Sequence, residues 1–133
     1  MTTWKWIGVP AAKALNSQQV LNFGGSYGMR DEALLESALT RAQNLAAYGE
    51  PDAFDLAAAY AFGIISNHPF LDGNKRTGLI CALVFLEDNG WKYDAPKDET
   101  YMIVMALTQK EISESTFADW LRKNCKRIKK TKK

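Results

Sequence analysis

The residues with the clearest chemical potential lie together in one short stretch, His68 to Thr77, with the sequence HPFLDGNKRT. This stretch contains an imidazole, a carboxylate, an amide, two cations and a glycine. The segments on either side of it, residues 56–65 and 78–86, contain no charged residue and predict two buried helices. A polar turn held between two buried helices is positioned rigidly, as a reactive site requires.

The order of residues within this turn predicts a site for an anion. Pro69 disfavours helical geometry at the residue before it, so the first buried helix should end near His68. Asn74 is a suitable N-cap for the second buried helix, which places Lys75 and Arg76 in its first turn. Positive side chains there oppose the helix dipole. A bound phosphate would reverse that penalty, because free backbone N–H groups, the dipole and both cations would attract it.

Three further residues of the turn predict the chemistry around such a phosphate. Gly73 has no Cβ, so a phosphate can come close to the backbone. Asp72 is the natural ligand for Mg²⁺ accompanying a nucleotide, because this ion prefers carboxylate and phosphate oxygens. His68 can remove a proton from an attacking hydroxyl near neutral pH. The turn therefore predicts a nucleotide site beside a general base.

A structural interpretation of the same residues remains open. A histidine at a helix end is commonly a favourable C-terminal charge, and Asp72 can neutralise Lys75 and Arg76 across the turn. Each residue taken singly fits that alternative. Their density between two buried helices favours a functional site.

The turn resembles the signature of the Fic/Doc superfamily, and the lysine in NKR is similar to that of the Doc (death-on-curing) branch. The Fic branch instead has the pattern H-x-F-x-[DE]-G-N-G-R-x-x-R. Lys75 stands where that pattern has its second glycine, and Leu79 stands where it has its final arginine. These departures separate the chain from the Fic enzymes that transfer AMP and favour the Doc branch.

Resemblance to Doc implies an all-α fold and a protein kinase that uses ATP and Mg²⁺. It implies transfer of the γ-phosphoryl group to a threonine of elongation factor Tu or another translation factor, which arrests translation. It also implies a toxin that is paired with a small antitoxin protein. The catalytic residues implied by the resemblance are His68, Asp72, Lys75 and Arg76, with Asp72 as the Mg²⁺ ligand. The implied phosphate-binding residues are Gly73, Asn74, Lys75 and Arg76.

Two alternatives to a Doc-type kinase are open at this point. One is a Fic-like nucleotidyl transferase that attaches AMP to a protein hydroxyl. The other is a protein that binds a nucleotide or a partner protein without turnover. The three functions differ in which part of ATP reaches a target, so labelled ATP would distinguish them.

Length and composition predict a single helical domain over residues 1–122. The 133 residues, of which 47% are hydrophobic, suffice for one domain with a real core. The longest uncharged stretches, residues 14–29 and 56–71, contain 16 residues each, whereas a membrane-spanning helix needs roughly 20 predominantly apolar ones. The N-terminal residues do not resemble a signal peptide, so we expect a cytoplasmic protein without a membrane segment. Cys81 and Cys125 show no metal-binding spacing and are expected to be free thiols.

The C-terminal residues 123–133 form a basic tail. They contain seven of the 17 cations and none of the 15 acidic residues. Such a tail can bind nucleic acid, but nothing else in the chain indicates a nucleic-acid site. We therefore expect a solvated, frayed terminus and no nucleic-acid partner.

The remaining pattern predicts about six helices in a compact bundle. Apolar spacing and capping residues place these helices at residues 10–23, 32–48, from Asp52 or Asp55 to His68, 75–89, 99–110 and from Ser113 or Ser115 onward. Residues 91–93 predict a short strand. The residues predicted to face inward from the first helix are Ala11, Ala14, Leu15, Val20 and Leu21. Three glycines within residues 24–29 predict a loop, which the family resemblance identifies as a flexible flap that docks the target.

Overall fold

A computed structural model describes residues 3–129, and this part of the chain forms six α-helices and one two-stranded sheet. The helices are α1 (Val9–Phe23), α2 (Glu32–Tyr48), α3 (Ala53–Asn67), α4 (Asn74–Asp88), α5 (Lys97–Thr108) and α6 (Glu114–Lys123). The strands are β1 (Trp91–Tyr93) and β2 (Cys125–Arg127). The predicted all-α fold is confirmed. None of the helices among the described residues has the length and hydrophobicity that crossing a bilayer requires.

Helix α3 is the centre of the fold. It begins with a capping box, in which Asp52 accepts from the Asp55 N–H at 2.9 Å and Asp55 accepts from the Asp52 N–H at 3.0 Å. Eleven of its 15 residues are buried, and α2, α4 and α6 pack around it. Gly78 of α4 permits a close approach to α3, because a Cβ there would lie 3.1 Å from the carbonyl oxygen of Ala61. The C-terminal end of α3 is thereby held against the N-terminal end of α4.

Helix α1 faces the core differently from the prediction. The structure buries every fourth residue along it, namely Ala12, Asn16 and Val20. The residues wrongly predicted to be buried are Ala11, Ala14 and Leu21, and Leu21 is 83% exposed. The cause is a polar residue on the inward face. Because Asn16 contacts the turn before α4, the apolar residues of α1 do not mark its buried side.

The basic segment at the C-terminus is partly structured, contrary to the expected frayed terminus. Its residues 125–127 pair antiparallel with β1, so that Trp91 lies opposite Arg127 and Tyr93 opposite Cys125. The Arg127 guanidinium lies 4.6 Å from the centroid of the Trp91 ring. The backbone of β1 and the Trp91 ring therefore hold residues 125–127 in place. The composition of this basic segment does not reveal that it has these partners. Residues 130–133 lie outside the described part of the chain.

Both cysteines are free thiols, as predicted. Cys81 is buried in α4, and burial raises the pKa of its thiol to about 12. Partial burial of Cys125 in β2 raises the pKa of that thiol to about 11. Both thiols are therefore protonated at neutral pH and are poor nucleophiles.

Candidate active site

The turn between α3 and α4 has a left-handed residue at each end. His68 follows the last residue of α3 with φ 53° and donates its backbone N–H to the carbonyl of Ile64 at 3.0 Å. Gly73 precedes α4 with φ 78°. The prediction that Asn74 caps α4 is wrong, since Gly73 is the N-cap and Asn74 is the first helical residue. Glycine adopts this conformation without strain, which frees the Asn74 side chain for other contacts.

The Asn74 side chain closes the turn from inside. Its Oδ1 accepts from the Phe70 N–H at 3.0 Å, and its Nδ2 donates to the Phe70 carbonyl at 3.0 Å. The same Nδ2 lies 3.1 Å from Nδ1 of His68. Because the Phe70 backbone sets the orientation of the amide, Nδ1 is the acceptor, and a neutral His68 ring carries its proton on Nε2. Asn74 is 4% exposed, so its side chain braces the turn from inside, and its backbone N–H is one of those at the start of α4 that have no helical partner.

Arg30 holds the backbone under the imidazole. Its Nε donates to the carbonyl of His68 at 2.6 Å, and its Nη2 donates to the carbonyl of Asn67 at 2.8 Å. A guanidinium at the C-terminal end of α3 satisfies free carbonyls and complements the helix dipole. The sequence contains no signal for this contact, because Arg30 lies in a distant loop before α2.

The glycine-rich segment lies beside the turn. The Ser26 N–H donates to Oδ2 of Asp72 at 2.7 Å, and the Leu71 N–H donates to the Gly28 carbonyl at 3.0 Å. At Gly25, a Cβ would lie only 2.9 Å from the Cβ of Asp72, and the residue has φ 111°. Only glycine fits this position without displacement. Residues 24–28 form a loop, as predicted from the sequence, and a single bridge follows between Met29 and Phe70.

Asp72 fits the role of a Mg²⁺ ligand only together with a phosphate. Its Oδ1 has no hydrogen-bond partner within residues 3–129, whereas Ser26 holds its Oδ2. No group of three His, Cys, Asp or Glu side chains within the described residues has the geometry of a metal site. One carboxylate oxygen suits an ion that takes its other ligands from phosphate oxygens and water.

The turn forms one end of a cleft of about 770 Å³ between α1, α4 and α5. All the site residues predicted from the sequence line this cleft: His68, Asp72, Gly73, Asn74, Lys75 and Arg76. The part of the cleft between α4 and α5 is mainly apolar, with Leu79, Ile80, Leu83, Tyr101, Val104 and Met105, and Phe23 and Leu71 add apolar surface beside the turn. The cleft therefore combines a polar end with an apolar end.

The polar end of the cleft carries an excess of positive charge. Within residues 3–129, no carboxylate forms an ion pair with Lys75 or Arg76. The Arg76 guanidinium instead lies 4.5 Å from the centroid of the Phe23 ring. Lys97 of α5 also lines the cleft, and Asp72 is the one carboxylate among its lining residues in the described part of the chain. The structural interpretation, in which Asp72 neutralises both cations across the turn, does not describe this geometry.

A second residue missed by the sequence analysis is Asn16 of α1. It is fully buried, and its Nδ2 donates to the Asp72 carbonyl at 2.9 Å and to Thr77 Oγ1 at 3.0 Å. One asparagine in a helix carries no pattern that would reveal such a role. Its contribution is visible only when α1 is packed against the turn.

Comparison with known proteins agrees with this geometry. The Fic/DOC family matches residues 6–86, which include α1 to α3, the turn and most of α4. The chain is 38% identical over 112 residues to the "Protein kinase doc" of Escherichia phage P1, covering 83% of this chain and 87% of that relative. It is 40% identical over 79 residues to the "Toxin Doc" of Mycolicibacterium smegmatis, covering 57% of this chain and 60% of that relative. The chain therefore belongs to the Fic/DOC family, in its Doc branch.

Proposed function

We propose that this protein is a Doc-type toxin that transfers the γ-phosphoryl group of ATP to a threonine hydroxyl of a translation factor, elongation factor Tu. One observation carries the proposal: a helix N-terminus, two cations that form no ion pair within residues 3–129, one carboxylate and an imidazole share a single cleft. The names of the two relatives, a protein kinase and a toxin, support both parts of the proposal. Arrest of translation would follow from modification of the factor.

The N-terminal turn of α4 is the phosphate site. The first helical hydrogen bond joins the Thr77 N–H to the Gly73 carbonyl at 2.8 Å, so the N–H groups of residues 73–76 lack a helical partner. These groups and the helix dipole attract a phosphate, and the side chains of Lys75 and Arg76 add two positive charges. Phosphoryl transfer depends mainly on such positioning and charge stabilisation.

The apolar end of the cleft suits the rest of the nucleotide. Leu79, Leu83 and Tyr101 offer a surface on which an aromatic base can be buried beside the phosphate site. Leu79 also places an alkyl group where the Fic pattern has its final arginine. The cation that would hold a phosphate at that position in an AMP transferase is absent here, which favours transfer of the γ-phosphoryl group.

His68 takes the proton of the attacking hydroxyl in this proposal. In the described arrangement, the nitrogen without a proton is Nδ1, which Asn74 contacts at 3.1 Å. We propose that the entering hydroxyl replaces Asn74 at Nδ1. As the hydroxyl oxygen bonds to the γ-phosphorus, the bond between that phosphorus and the β–γ bridging oxygen breaks. The hydroxyl proton moves to Nδ1, the ring becomes an imidazolium, and ADP leaves.

Asp72 lines the cleft and is the residue that would hold Mg²⁺, through Oδ1, which has no hydrogen-bond partner within residues 3–129. When bound, the ion would offset negative charge on the phosphate oxygens during transfer. The Ser26 N–H fixes the other carboxylate oxygen, so Asp72 is oriented before a nucleotide arrives.

Labelled ATP tests the proposed reaction directly. The protein is incubated with purified elongation factor Tu, Mg²⁺ and ATP labelled on either the γ- or the α-phosphate, and the factor is then analysed by mass spectrometry. The proposal expects label from γ-labelled ATP only, an added mass of one phosphate on a threonine, and no transfer by His68→Ala. An added AMP would establish the nucleotidyl transferase instead. ATP binding without any modification would establish the non-catalytic binder.

A toxin of this kind requires a partner that neutralises it. We propose a small antitoxin protein that covers the cleft, because apolar side chains at its rim are exposed: Phe23 is 60%, Leu71 51% and Tyr101 67% exposed. Expression of this protein should arrest growth, and co-expression of the antitoxin should restore growth and give a co-purifying complex. Growth arrest that persists beside a stable complex would place the antitoxin surface away from the cleft.

A further inference from the structure

We infer that Asn16 is a positioning residue for the phosphate site, an inference that rests on the proposed function. Asn16 belongs to α1 and lies far along the chain from the motif whose backbone it contacts. No group of Asn16 needs to touch the substrate. It acts by holding the turn that presents Asp72 and the first N–H groups of α4.

The contacts of Asn16 bracket the phosphate-binding backbone. Its Nδ2 donates to the carbonyl of Asp72 at 2.9 Å and to Oγ1 of Thr77 at 3.0 Å. These two residues stand immediately before and after residues 73–76, whose N–H groups form the proposed phosphate site. One amide therefore joins both ends of that segment to α1.

Gly73 lies directly on this contact. A Cβ at Gly73 would lie 3.4 Å from Asn16 Nδ2 and 3.6 Å from Cγ2 of Val20. The turn thus packs against α1 without a side chain between them. Loss of the Asn16 amide would remove both hydrogen bonds that fix this packing.

The energetic cost of Asn16 also points to a role beyond packing. The residue is fully buried between Ala12 and Val20 on the inward face of α1, where an apolar side chain would ordinarily pack. Its Oδ1 has no hydrogen-bond partner among the described residues. Unsatisfied buried polar groups destabilise a fold, and such local violations concentrate at functional sites.

Asp72 connects the Asn16 hydrogen bonds to the proposed Mg²⁺ and phosphate site. Asn16 holds its carbonyl, and the Ser26 N–H holds its carboxylate at 2.7 Å. These restraints come from two separate segments of the chain. Without Asn16, the peptide unit between Asp72 and Gly73 can rotate, which would displace both the carboxylate and the first N–H group of the phosphate site.

Asn16→Leu replaces the amide with a branched apolar side chain of the same number of heavy atoms and tests this role. We expect kcat/KM for phosphoryl transfer to fall about 10- to 100-fold, because displacement of reacting groups by about 1 Å has effects of this size. Most of the loss should appear in kcat. The Mg²⁺ concentration for half-maximal rate should rise, because the Asp72 carboxylate is displaced.

Asn89→Leu is the matched control at the opposite end of α4. The Asn89 amide bonds the backbone of Lys5 at 3.0 and 3.1 Å and the Phe85 carbonyl at 2.8 Å. Its removal should lower the free energy of unfolding and leave kcat, KM and the Mg²⁺ dependence unchanged. A purely structural Asn16 would behave in the same way.

Amide hydrogen exchange supplies a readout that needs no activity. Exchange at residues 73–77 should be faster in Asn16→Leu than in the wild type, and unchanged there in Asn89→Leu. If the wild type transfers no phosphoryl group, the proposed function fails, and the exchange data still test Asn16. If Asn16→Leu does not fold, Asn16→Ala removes the donor without adding bulk and should give the same results. Wild-type kinetics and wild-type exchange at residues 73–77 in a folded Asn16 variant would overturn the inference.

Discussion

Arg76 and Arg122 each lie over a phenylalanine ring, but their electrostatic surroundings differ. The Arg122 guanidinium is 5.5 Å from the Phe54 centroid, and that of Arg76 is 4.5 Å from the Phe23 centroid. Arg122 also forms ion pairs with three carboxylates, those of Asp52, Asp55 and Asp119. Among residues 3–129, no carboxylate pairs with Arg76.

The difference separates a structural cation from one that can act on a ligand. Arg122 joins α6 to the first turn of α3, and the ring beneath it is 5% exposed. Arg76 lies at the wall of the cleft, and the ring beneath it is 60% exposed. A cation held in place by an aromatic ring but left without a carboxylate keeps its donors for a phosphate. Four predictions test this comparison.

Removal of the two phenylalanine rings should affect the stability of the protein very differently, and this is the largest expected effect. Phe54→Ala should lower the free energy of unfolding by about 3–5 kcal/mol, because it leaves a cavity in the core and removes the edge contact with Trp91. Phe23→Ala should change that free energy by less than about 0.5 kcal/mol, because the ring is exposed. Urea denaturation measures both values. Similar losses in the two variants would remove the basis of the comparison.

The cleft arginine should have the larger effect on catalysis. Arg76→Ala should lower phosphoryl transfer about 100-fold, because one group that stabilises transition-state charge contributes on this scale. Its free energy of unfolding should stay within about 0.5 kcal/mol of the wild type. Steady-state rates with labelled ATP, with Arg122→Ala as the matched arginine control, provide the measurement. Equal rates for Arg76→Ala and the wild type would contradict the role given to Arg76.

The structural arginine should show the opposite result. Arg122→Ala should lower the free energy of unfolding by about 1 kcal/mol, the scale of a partly exposed ion-pair network with a cation–π contact. The kcat and KM of the folded variant should equal those of the wild type. A loss of activity without a loss of stability would show that α6 communicates with the cleft.

The smallest expected effect is a pH dependence of the difference in unfolding free energy between the wild type and Arg122→Ala. Partial burial acts to raise the pKa of Asp52, but hydrogen bonds from the Asp55 N–H and from Arg122 outweigh it and hold the pKa below its usual value. A lowered pKa in the folded state contributes stability that is present above the unfolded pKa and is lost as pH falls through the folded pKa. The difference between the wild type and Arg122→Ala should therefore be constant above about pH 5 and shrink at about pH 3. Urea unfolding at several pH values checks this, and a constant difference down to pH 3 would contradict it.

The helices were predictable because their boundaries depend on neighbouring residues. Asp31 accepts from the Leu34 N–H at 3.2 Å, and Ser113 accepts from the Thr116 N–H at 3.0 Å, so both caps act within one turn. Asp52 and Asp55, between which the sequence did not decide, cap α3 together. Contacts within four residues are encoded locally, which is why six helices could be predicted.

Burial and pairing were less predictable because they depend on distant partners. The inward face of α1 carries Asn16, and the pattern of apolar residues placed that face incorrectly. Strand β2 lies in a segment whose composition indicates a frayed tail, and it pairs because β1 offers a free edge. In both cases the deciding partner is remote in sequence.

By itself, the sequence determined the helical fold and the chemical groups of the HPFLDGNKRT turn, because both follow from residue types and short spacings. Only the tertiary structure decided how that turn is held. Asn16, Ser26 and Arg30 contact it from three other segments, and Asn74 uses its side chain inside it. These contacts exist because packing α1, α3 and α4 together brings polar groups that are far apart in the chain within hydrogen-bonding distance.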